Sequence, residues 1–350
     1  MPPRPKPTAT SSGADHQGGT GQRGIPLEDM PAYIQEVLDL IEWANGPVSS
    51  KWGAVRAAAG HPEPFNLQYL GVGNEDRITP VFKERFQLIH AAIKAKHPEI
   101  TVIGTTGPFH SGEDYDNGWK IADELRVAMV DEHYYVPPQW FWDNLERYDR
   151  YDRAKSKVYV GEYAAHDDRR RTTLRSALAE AAYLTSLERN ADVVRLASYA
   201  PLLAKRGNTQ WNPNLIYFSN TEVVPTINYH VQQLFSVNGG DCYLAASVDD
   251  PARAKDFALS AVRDSKTGDV ILKLVNGGDT AKPVRFNLNG LGARPVVSKL
   301  SVLANPDPMV ANEFGKSRAV VPVISDFPVG QELSHALPAH SLTVLRIPKN

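Results

Sequence analysis

Apolar residues recur at two different spacings over the first two thirds of the chain, and the spacing alternates from one stretch to the next. Short apolar runs indicate buried strands, and they end near Val72, Thr105, Val130, Gly161 and Tyr199. Between these runs, apolar residues at the 3.6-residue period predict helices near residues 29–46, 79–98, 117–125, 140–148, 172–190 and 229–235. Strands alternating with helices predict a parallel sheet with right-handed crossovers.

The two ends of the chain have a different pattern. Residues 1–24 are rich in Pro, Gly, Ser and Thr and carry almost no large apolar side chain, which predicts disorder. After Gly239 helical periodicity disappears, and strand-like runs such as 270–275 and 342–347 are separated by turn signals. We therefore predict three parts: a disordered segment over residues 1–24, a catalytic domain over 25–239 and a β-sandwich over 240–350.

Two of the predicted strands end in a glutamate. Glu75 follows the strand 67–72 and stands next to Asn74, and Glu162 follows the strand 157–161. Parallel α/β barrels display catalytic groups at the carboxyl ends of their strands, and two glutamates there are the minimum set for glycoside hydrolysis. Because candidate groups follow several successive strands, a (β/α) barrel is favoured over an open sheet. An Asn-Glu or a Gly-Glu dipeptide alone is a weak signal, since most such carboxylates cap a helix or face water.

Composition excludes several other classes of protein. Hydrophobic residues make up 42% and charged residues 22% of the chain, as in an ordinary globular protein, and the formal net charge of −2 gives no electrostatic reason to expect nucleic acid or an anionic membrane as partner. The single cysteine, Cys242, excludes an internal disulfide and a multi-cysteine metal site. The sequence has no apolar run long enough to span a bilayer, and its start lacks the apolar core of a secretory signal. A cytoplasmic and a secreted location both stay open.

Gly71 and Gly73 raise a second interpretation, a dinucleotide-binding loop that follows a strand. The third glycine position of that motif holds Asp76, whose carboxylate, with Glu75 beside it, would repel a pyrophosphate at the helix N-terminus. Around His133 there is no metal-ligand spacing such as HExxH. We therefore expect neither a nucleotide, a metal nor another cofactor.

Several short motifs, taken in order, resemble the α-L-arabinofuranosidases of glycoside hydrolase family 51. They are GNE at 73–75, EHYY at 132–135, GEYAA at 161–165, YAPLLA at 199–204, WNPNLI at 211–216 and the closing LPAHSLTVLRI. The resemblance runs from about Ile25 to the C-terminus, and the order of the motifs makes it specific. It implies a retaining enzyme with a (β/α)8 barrel and a β-sandwich. Such an enzyme releases terminal α-L-arabinofuranosyl residues from arabinose-containing oligo- or polysaccharides.

The resemblance also implies catalytic roles for two residues. In this family the glutamate after asparagine is the acid/base and the later glutamate is the nucleophile, which implies Glu75 and Glu162 in those roles. Physical chemistry is consistent with this division. The nucleophile must stay ionised, so hydrogen-bond donors should surround it, whereas the acid must hold a proton at first.

Four further residues are candidates for substrate binding. Asn74 matches the asparagine of the family that binds a sugar hydroxyl, and Tyr135 matches a tyrosine near the nucleophile. His133 is either a pocket hydrogen bonder or a structural histidine. Trp211 either lines the sugar subsites or packs at the barrel rim. The run Arg169–Arg171 is interpreted as a solvated helix start.

Two other functions stay open at this point. One is a β-xylosidase or endoglucanase of the same barrel clan, and the other is an inactive carbohydrate-binding remnant. The presence of both Glu75 and Glu162 argues against the remnant.

The count of strands raises a separate expectation. A (β/α)8 barrel has eight strands, whereas only five are predicted here before the sandwich. In the family the acid/base follows the fourth strand and the nucleophile the seventh, but Glu75 and Glu162 follow the first and fourth predicted strands. We therefore expect an N-terminally truncated, open partial barrel with unpaired strand edges, prone to aggregate and with little or no activity unless another chain completes it. The oligomeric state, including a homo-oligomer, is left open.

Overall fold

The computed structural model describes residues 24–249, 256–288, 296–330 and 332–349. The predicted disordered start lies, except for its last residue, outside the described residues. The chain divides into two compact units. The first holds the chain up to Tyr134 together with Asp152–Gly161 and Arg195–Ala197, and the second holds Tyr135–Tyr151, Glu162–Val194 and the chain from Ser198 onward. The domain boundary expected between residues 239 and 240 stays a prediction.

Most residues of a five-stranded sheet belong to the first unit, and its strands follow one another in chain order. The strands are β1 (Tyr69–Val72), β2 (Thr101–Thr105), β3 (Met129–Val136), β4 (Lys157–Ala165) and β5 (Val194–Tyr199). Both β1 with β2 and β2 with β3 pair in parallel. The carboxyl ends of β3, β4 and β5 belong to the second unit. The prediction of five strands with intervening helices is confirmed, and β3 is longer than its short apolar run indicated.

From residue 24 onward, the first unit also contains four α-helices. They are α1 (Met30–Asn45), α2 (Lys51–Ala58), α3 (Pro80–Lys96) and α4 (Glu113–Leu125). The start of α3 is fixed by Thr79, whose hydroxyl accepts a hydrogen bond from the backbone N–H of Phe82, with a proline at the first helical position. The sequence analysis predicted no helix over residues 51–58, where Ser50 caps one.

The buried face of α3 packs against the sheet. Phe82, Phe86, Ile89 and Ile93 are all at most 4% exposed. A Cβ at Gly104, in β2, would lie 3.0 Å from the ring of Phe86, so the small residue lets the helix approach the strand closely. Burying each large apolar side chain contributes about 1.5–3 kcal/mol, so this stripe is a main source of the unit's stability.

In its described residues, the second unit contains three α-helices and three antiparallel or mixed sheets. The helices are α5 (Pro138–Asp143), α6 (Leu174–Arg189) and α7 (Ile227–Val237). A small mixed sheet joins β6 (Leu203–Lys205), β7 (Ile216–Phe218) and β8 (Val223–Pro225). The sequence analysis did not predict these strands, since three residues are too few to show a period of two. None of the helices in the described ranges has the length and apolarity needed to cross a lipid bilayer.

The C-terminal part of the second unit is the predicted β-sandwich. Its strands are β9 (Cys242–Tyr243), β10 (Phe257–Arg263), β11 (Val270–Asn276), β12 (Lys282–Asn287), β13 (Val296–Ala304), β14 (Val323–Val329), β15 (Glu332–Leu337) and β16 (Ser341–Ile347). Six of them form an antiparallel sheet in the order β14-β13-β16-β11-β10-β9, and β12 pairs with β15. Leu272, Leu274, Leu300 and Leu345 of the large sheet share one apolar core with Leu337 of β15.

Helix α6 is buried on nearly every side. All residues from Leu174 to Leu187 except Arg175 are buried. The helix packs against α5 and α7 and also against β10 and β11 of the sandwich. Near its end, Glu188 binds Lys273 of β11, with 2.5 Å between Lys273 Nζ and Glu188 Oε1. Burial lowers the pKa of Lys273, and the charge of Glu188 opposes that change.

Candidate active site

Strand β3 carries polar side chains on both of its faces, because successive residues of an extended strand point in opposite directions. Glu132 points to the side of α4, where it accepts hydrogen bonds from Tyr115 (2.8 Å) and Trp119 (3.0 Å). Its other oxygen accepts a hydrogen bond from Tyr134 of the same strand. Glu132 is fully buried. The glutamate of the EHYY motif is therefore part of a buried hydrogen-bond network.

The opposite face of β3 brings Glu75 together with His133. The Nδ1 atom of His133 lies 2.8 Å from Glu75 Oε1, and its Nε2 atom lies 3.2 Å from Asp131 Oδ2. The side chain of His133 is only 1% exposed, while those of Glu75 and Asp131 are 17% and 16% exposed. The buried imidazole thus connects two carboxylates that solvent still reaches. Its predicted contact with substrate stays a prediction.

A tight turn after β1 positions Glu75. Gly73 has φ of 91°, and a Cβ there would lie 2.6 Å from Thr105 Cγ2 and 2.8 Å from Asp76 Oδ2, so the turn requires glycine. The buried carboxylate of Asp76 accepts the backbone N–H of Asn74 at 2.9 Å. Glu75 itself has φ of 52°, in the left-handed region, which costs on the order of 1 kcal/mol. Residue Asn74 is exposed at this turn, and its predicted role in sugar binding stays a prediction.

In the second unit, Tyr135 donates a hydrogen bond to Glu162. The distance from the Tyr135 hydroxyl to Glu162 Oε2 is 2.6 Å, and both side chains are partly exposed. The donor beside Glu162 that the sequence analysis expected is therefore present. A hydrogen bond to a carboxylate favours its ionised form, as a nucleophile requires. The catalytic role of Glu162 stays a prediction.

An aromatic cluster surrounds Tyr135. The rings of His166 and Trp211 lie 5.3 Å and 5.5 Å from it, measured between centroids, and the guanidinium of Arg170 lies 4.6 Å above the Trp211 ring. Burial, together with the charge of Arg170, lowers the pKa of His166 to about 4, so this ring is neutral near pH 7. Trp211 thus packs beside the residue that binds Glu162. Arg170 is exposed, as predicted for the basic run, but it stacks on this indole.

A buried carboxyl group supports the end of β4 from behind. Glu180 of α6 accepts the backbone N–H of Ala165 at 2.9 Å, and Gln232 Nε2 lies 3.4 Å from its other oxygen. Burial raises the pKa of Glu180 to about 8. The hydroxyl of Tyr163, next to Glu162 in β4, donates to Gln232 Oε1 at 2.7 Å. The sequence analysis missed Glu180, although a glutamate inside the apolar stretch ALAEAAYL was a signal that could have revealed it.

Known families match both parts of the chain. The model of the α-L-arabinofuranosidase C-terminal domain matches residues 151–341, and that of the α-L-arabinofuranosidase 1 domain matches residues 9–153. An extracellular exo-α-L-arabinofuranosidase of Streptomyces chartreusis is 52% identical over 60% of this chain and 25% of its own length. The α-L-arabinofuranosidase 2 of Arabidopsis thaliana is 30% identical over 91% of this chain and 46% of its own length. The chain spans about half the length of the Arabidopsis relative and a quarter of the Streptomyces one.

Solved structures show the same fold. An arabinose-bound α-L-arabinofuranosidase of glycoside hydrolase family 51 superposes with a TM-score of 0.82 at 31% identity, covering 94% of this chain and 53% of that one. The family 51 enzyme of Thermotoga petrophila gives a TM-score of 0.70 at 18% identity, covering 90% of this chain and 73% of that one. The second likeness shows the fold alone. On the family models and the closer likenesses together, the chain belongs to the α-L-arabinofuranosidases of glycoside hydrolase family 51.

Proposed function

We propose that this chain carries the acid/base and the nucleophile of a retaining α-L-arabinofuranosidase, which releases terminal α-L-arabinofuranosyl residues from arabinose-containing glycans. Two hydrogen-bond contacts made by strand β3 support this proposal. His133 of β3 contacts Glu75, and Tyr135, two residues further on, binds Glu162. Each of the two candidate carboxylates is thus held by a polar side chain of β3. The extracellular description of the Streptomyces relative favours a secreted enzyme.

In the proposed reaction, Glu162 attacks the anomeric carbon while Glu75 gives its proton to the leaving oxygen. The arabinosyl-enzyme ester is then hydrolysed by a water molecule that Glu75, now ionised, activates as a base. This sequence requires the two carboxyl groups to lie about 5–5.5 Å apart. The Tyr135 hydroxyl donates a hydrogen bond to the Glu162 carboxylate, and such a bond favours the ionised form that attacks.

The two roles have different signatures in variants. We expect azide to rescue Glu162→Ala and to give a glycosyl azide of inverted configuration, because azide replaces the missing nucleophile. Glu75→Ala should keep more activity on aryl arabinofuranosides with good leaving groups than on natural substrates, since those need no protonation. Glu63→Gln, at an exposed position, is the matched control and should change neither property. If the two variants exchange their behaviour, the assignment is reversed.

Substrate class is tested with aryl glycosides. We expect cleavage of the α-L-arabinofuranoside in preference to the xyloside and the cellobioside. Cleavage of either of the others without cleavage of the arabinofuranoside would overturn the proposed activity in favour of a xylosidase or endoglucanase. An arabinose-containing oligosaccharide that binds measurably but is never cleaved would instead indicate a carbohydrate-binding remnant.

The number of strands leads to a second proposal about activity. The sheet in the described chain has five strands, and a (β/α)8 barrel has eight. We propose that the 350-residue chain alone turns over aryl arabinofuranosides slowly, because three strand ends that would line the sugar pocket are not among its five. Steady-state hydrolysis by the purified chain measures this. Turnover equal to that of a full-length family enzyme would contradict the proposal.

A further inference from the structure

The carboxylate of Asp131 lies between the ring of His133 and the backbone of β4. We propose that Asp131 is a positioning residue for Glu75: it holds the proton of His133 on Nε2 and so reserves Nδ1 for the acid/base. This inference rests on the proposed role of Glu75. Asp131 lies outside both the EHYY motif and the GNE motif, so neither motif assigns it a function.

The side-chain carboxylate of Asp131 has its hydrogen-bond contact with His133. Its Oδ2 atom lies 3.2 Å from His133 Nε2, and within the described residues its Oδ1 atom is buried without a hydrogen-bond partner. Because a carboxylate only accepts hydrogen bonds, the Nε2 atom must carry the proton of this contact. A buried ring with one fixed N–H has one fixed tautomer. The other nitrogen is then available to Glu75, 2.8 Å away.

The backbone of β4 holds Asp131 in this orientation. A Cβ at Gly161 would lie 2.0 Å from Asp131 Oδ1 and 2.7 Å from its Cγ. No other residue type fits there unless the carboxylate moves, since real Cβ atoms do not approach so closely. The glycine that precedes Glu162 is therefore needed for the placement of Asp131. The pair Asp131–Gly161 forms a rigid backing for the His133 ring.

The fixed tautomer suits both protonation states of Glu75. When Glu75 is protonated, its O–H can donate to the bare Nδ1 of His133. When Glu75 has given its proton to the leaving oxygen and is ionised, Nδ1 of His133 can bind a proton from solvent water and donate the resulting N–H to the carboxylate. A ring with its only proton on Nδ1 could not accept the O–H of protonated Glu75, so the contact would no longer orient the acidic proton. Second-layer carboxylates that fix a histidine tautomer act in this way at metal sites.

The kinetic test is Asp131→Asn, with Gly161→Ala as a second variant that displaces Asp131 without altering it. An asparagine amide can turn its N–H₂ group toward Nε2 and so select the wrong tautomer. We expect kcat/KM to fall about 10–100-fold on alkyl or oligosaccharide substrates, the size of loss typical of second-layer partners. On dinitrophenyl arabinofuranoside we expect a loss of only a few fold, because that leaving group needs no protonation.

The matched control is Glu132→Gln. Glu132 is the next residue on the same strand, is fully buried and points away from His133. Glu132→Gln tests whether any disturbance of β3 reduces activity more on substrates that need protonation. We expect this variant either to keep its kcat/KM or to lose the same factor on both kinds of substrate. An equal loss on both substrates in Asp131→Asn would make Asp131 merely structural and overturn the inference.

A readout independent of turnover separates this inference from the proposed function. In the full chain labelled with ¹⁵N-histidine, the His133 signals are assigned by their absence in His133→Gln. We expect a ring protonated at Nε2 in the wild-type chain and a shift toward Nδ1 protonation in Asp131→Asn. An unchanged tautomer in Asp131→Asn overturns the inference even if the chain is an active arabinofuranosidase. Failure of the azide and leaving-group tests of Glu162 and Glu75, by contrast, overturns the proposed function.

Discussion

Replacing Glu180 by glutamine tests how a buried carboxyl group behind β4 makes stability depend on pH. Glu180 is fully buried, and burial raises its pKa to about 8 from an ordinary value of 4.5. Between these two pH values the folded chain binds a proton that the unfolded chain has released. The contribution of Glu180 to stability is therefore full below pH 4.5, falls as pH rises toward 8, and is constant above that.

The size of this effect follows from the pKa difference. Each pH unit in that interval lowers the free energy of unfolding by about 1.4 kcal/mol, so the loss is ~3 kcal/mol at pH 7 and about 5 kcal/mol above pH 8. These figures are upper bounds, because water reaching an opened site would reduce them. In Glu180→Gln the loss disappears, since glutamine does not titrate. The amide of Gln232 can rotate to match the new side chain, so the bond to Ala165 is kept.

The assay is urea unfolding of the wild-type chain and Glu180→Gln at several pH values from 5 to 9. The prediction concerns how the free energy of unfolding changes with pH, so a constant difference caused by the amide does not matter. Between pH 5 and pH 7.5, the free energy of unfolding of Glu180→Gln should rise relative to that of the wild type by roughly 3 kcal/mol. Glu63→Gln, at an exposed position, is the control and should follow the wild type. Parallel curves for the wild type and Glu180→Gln would refute the reasoning.

Three further predictions concern the second unit. His166 stays neutral in the folded chain down to about pH 4, so its contribution to stability is lost as pH falls below 6.5. In His166→Asn, the decrease in Tm between pH 7 and pH 4.5 should therefore be smaller than in the wild type. An equal decrease in both would contradict this. Lys273→Met removes the charge partner of Glu188, which keeps only its hydrogen bond from Ser260 among the contacts described, and should lower the unfolding free energy by about 3 kcal/mol in urea. Partial recovery is expected in the double variant with Glu188→Gln, and no recovery would show that the ion pair does not couple the two residues. Leu345→Ala should cost about 3 kcal/mol in the same assay, and a cost below about 1 kcal/mol would mean that the sandwich core repacks.

The strands and the two glutamates were predictable because their signals are local. Short apolar runs ending in Gly73-Asn74-Glu75 and Gly161-Glu162 mark buried strands followed by polar residues. Helix α2 was not predictable in this way. Its sequence KWGAVRAA has no apolar stripe, and the helix depends on the Ser50 cap and on contacts of Arg56 with backbone carbonyls of Trp43, His61 and Pro62.

The length of β3 and much of the site depend on partners far away in the sequence. Residues 131–135 are polar or amphipathic, so they do not form an apolar run, yet Glu132 is buried because Tyr115 and Trp119 satisfy it. Asp131 gains its place from Gly161, thirty residues further on. The burial of Glu180 is explained by its contacts with Ala165, Gln232 and Asn228. No single sequence shows such pairings, since each residue alone is compatible with a solvated role.

The burial of α6 also bears on how the second unit unfolds. Helix α6 packs against α5 and α7 and also against β10 and β11. Because it is buried on nearly every side, detachment of the helices or of the strands would expose its apolar side chains to water. A chain cut after Gly239 would uncover apolar surface along most of α6 and leave Glu188 without Lys273. The helices and the sandwich of this unit should therefore melt in one transition rather than as separable modules. Fragments that divide them are expected to need a detergent or a partner to stay in solution.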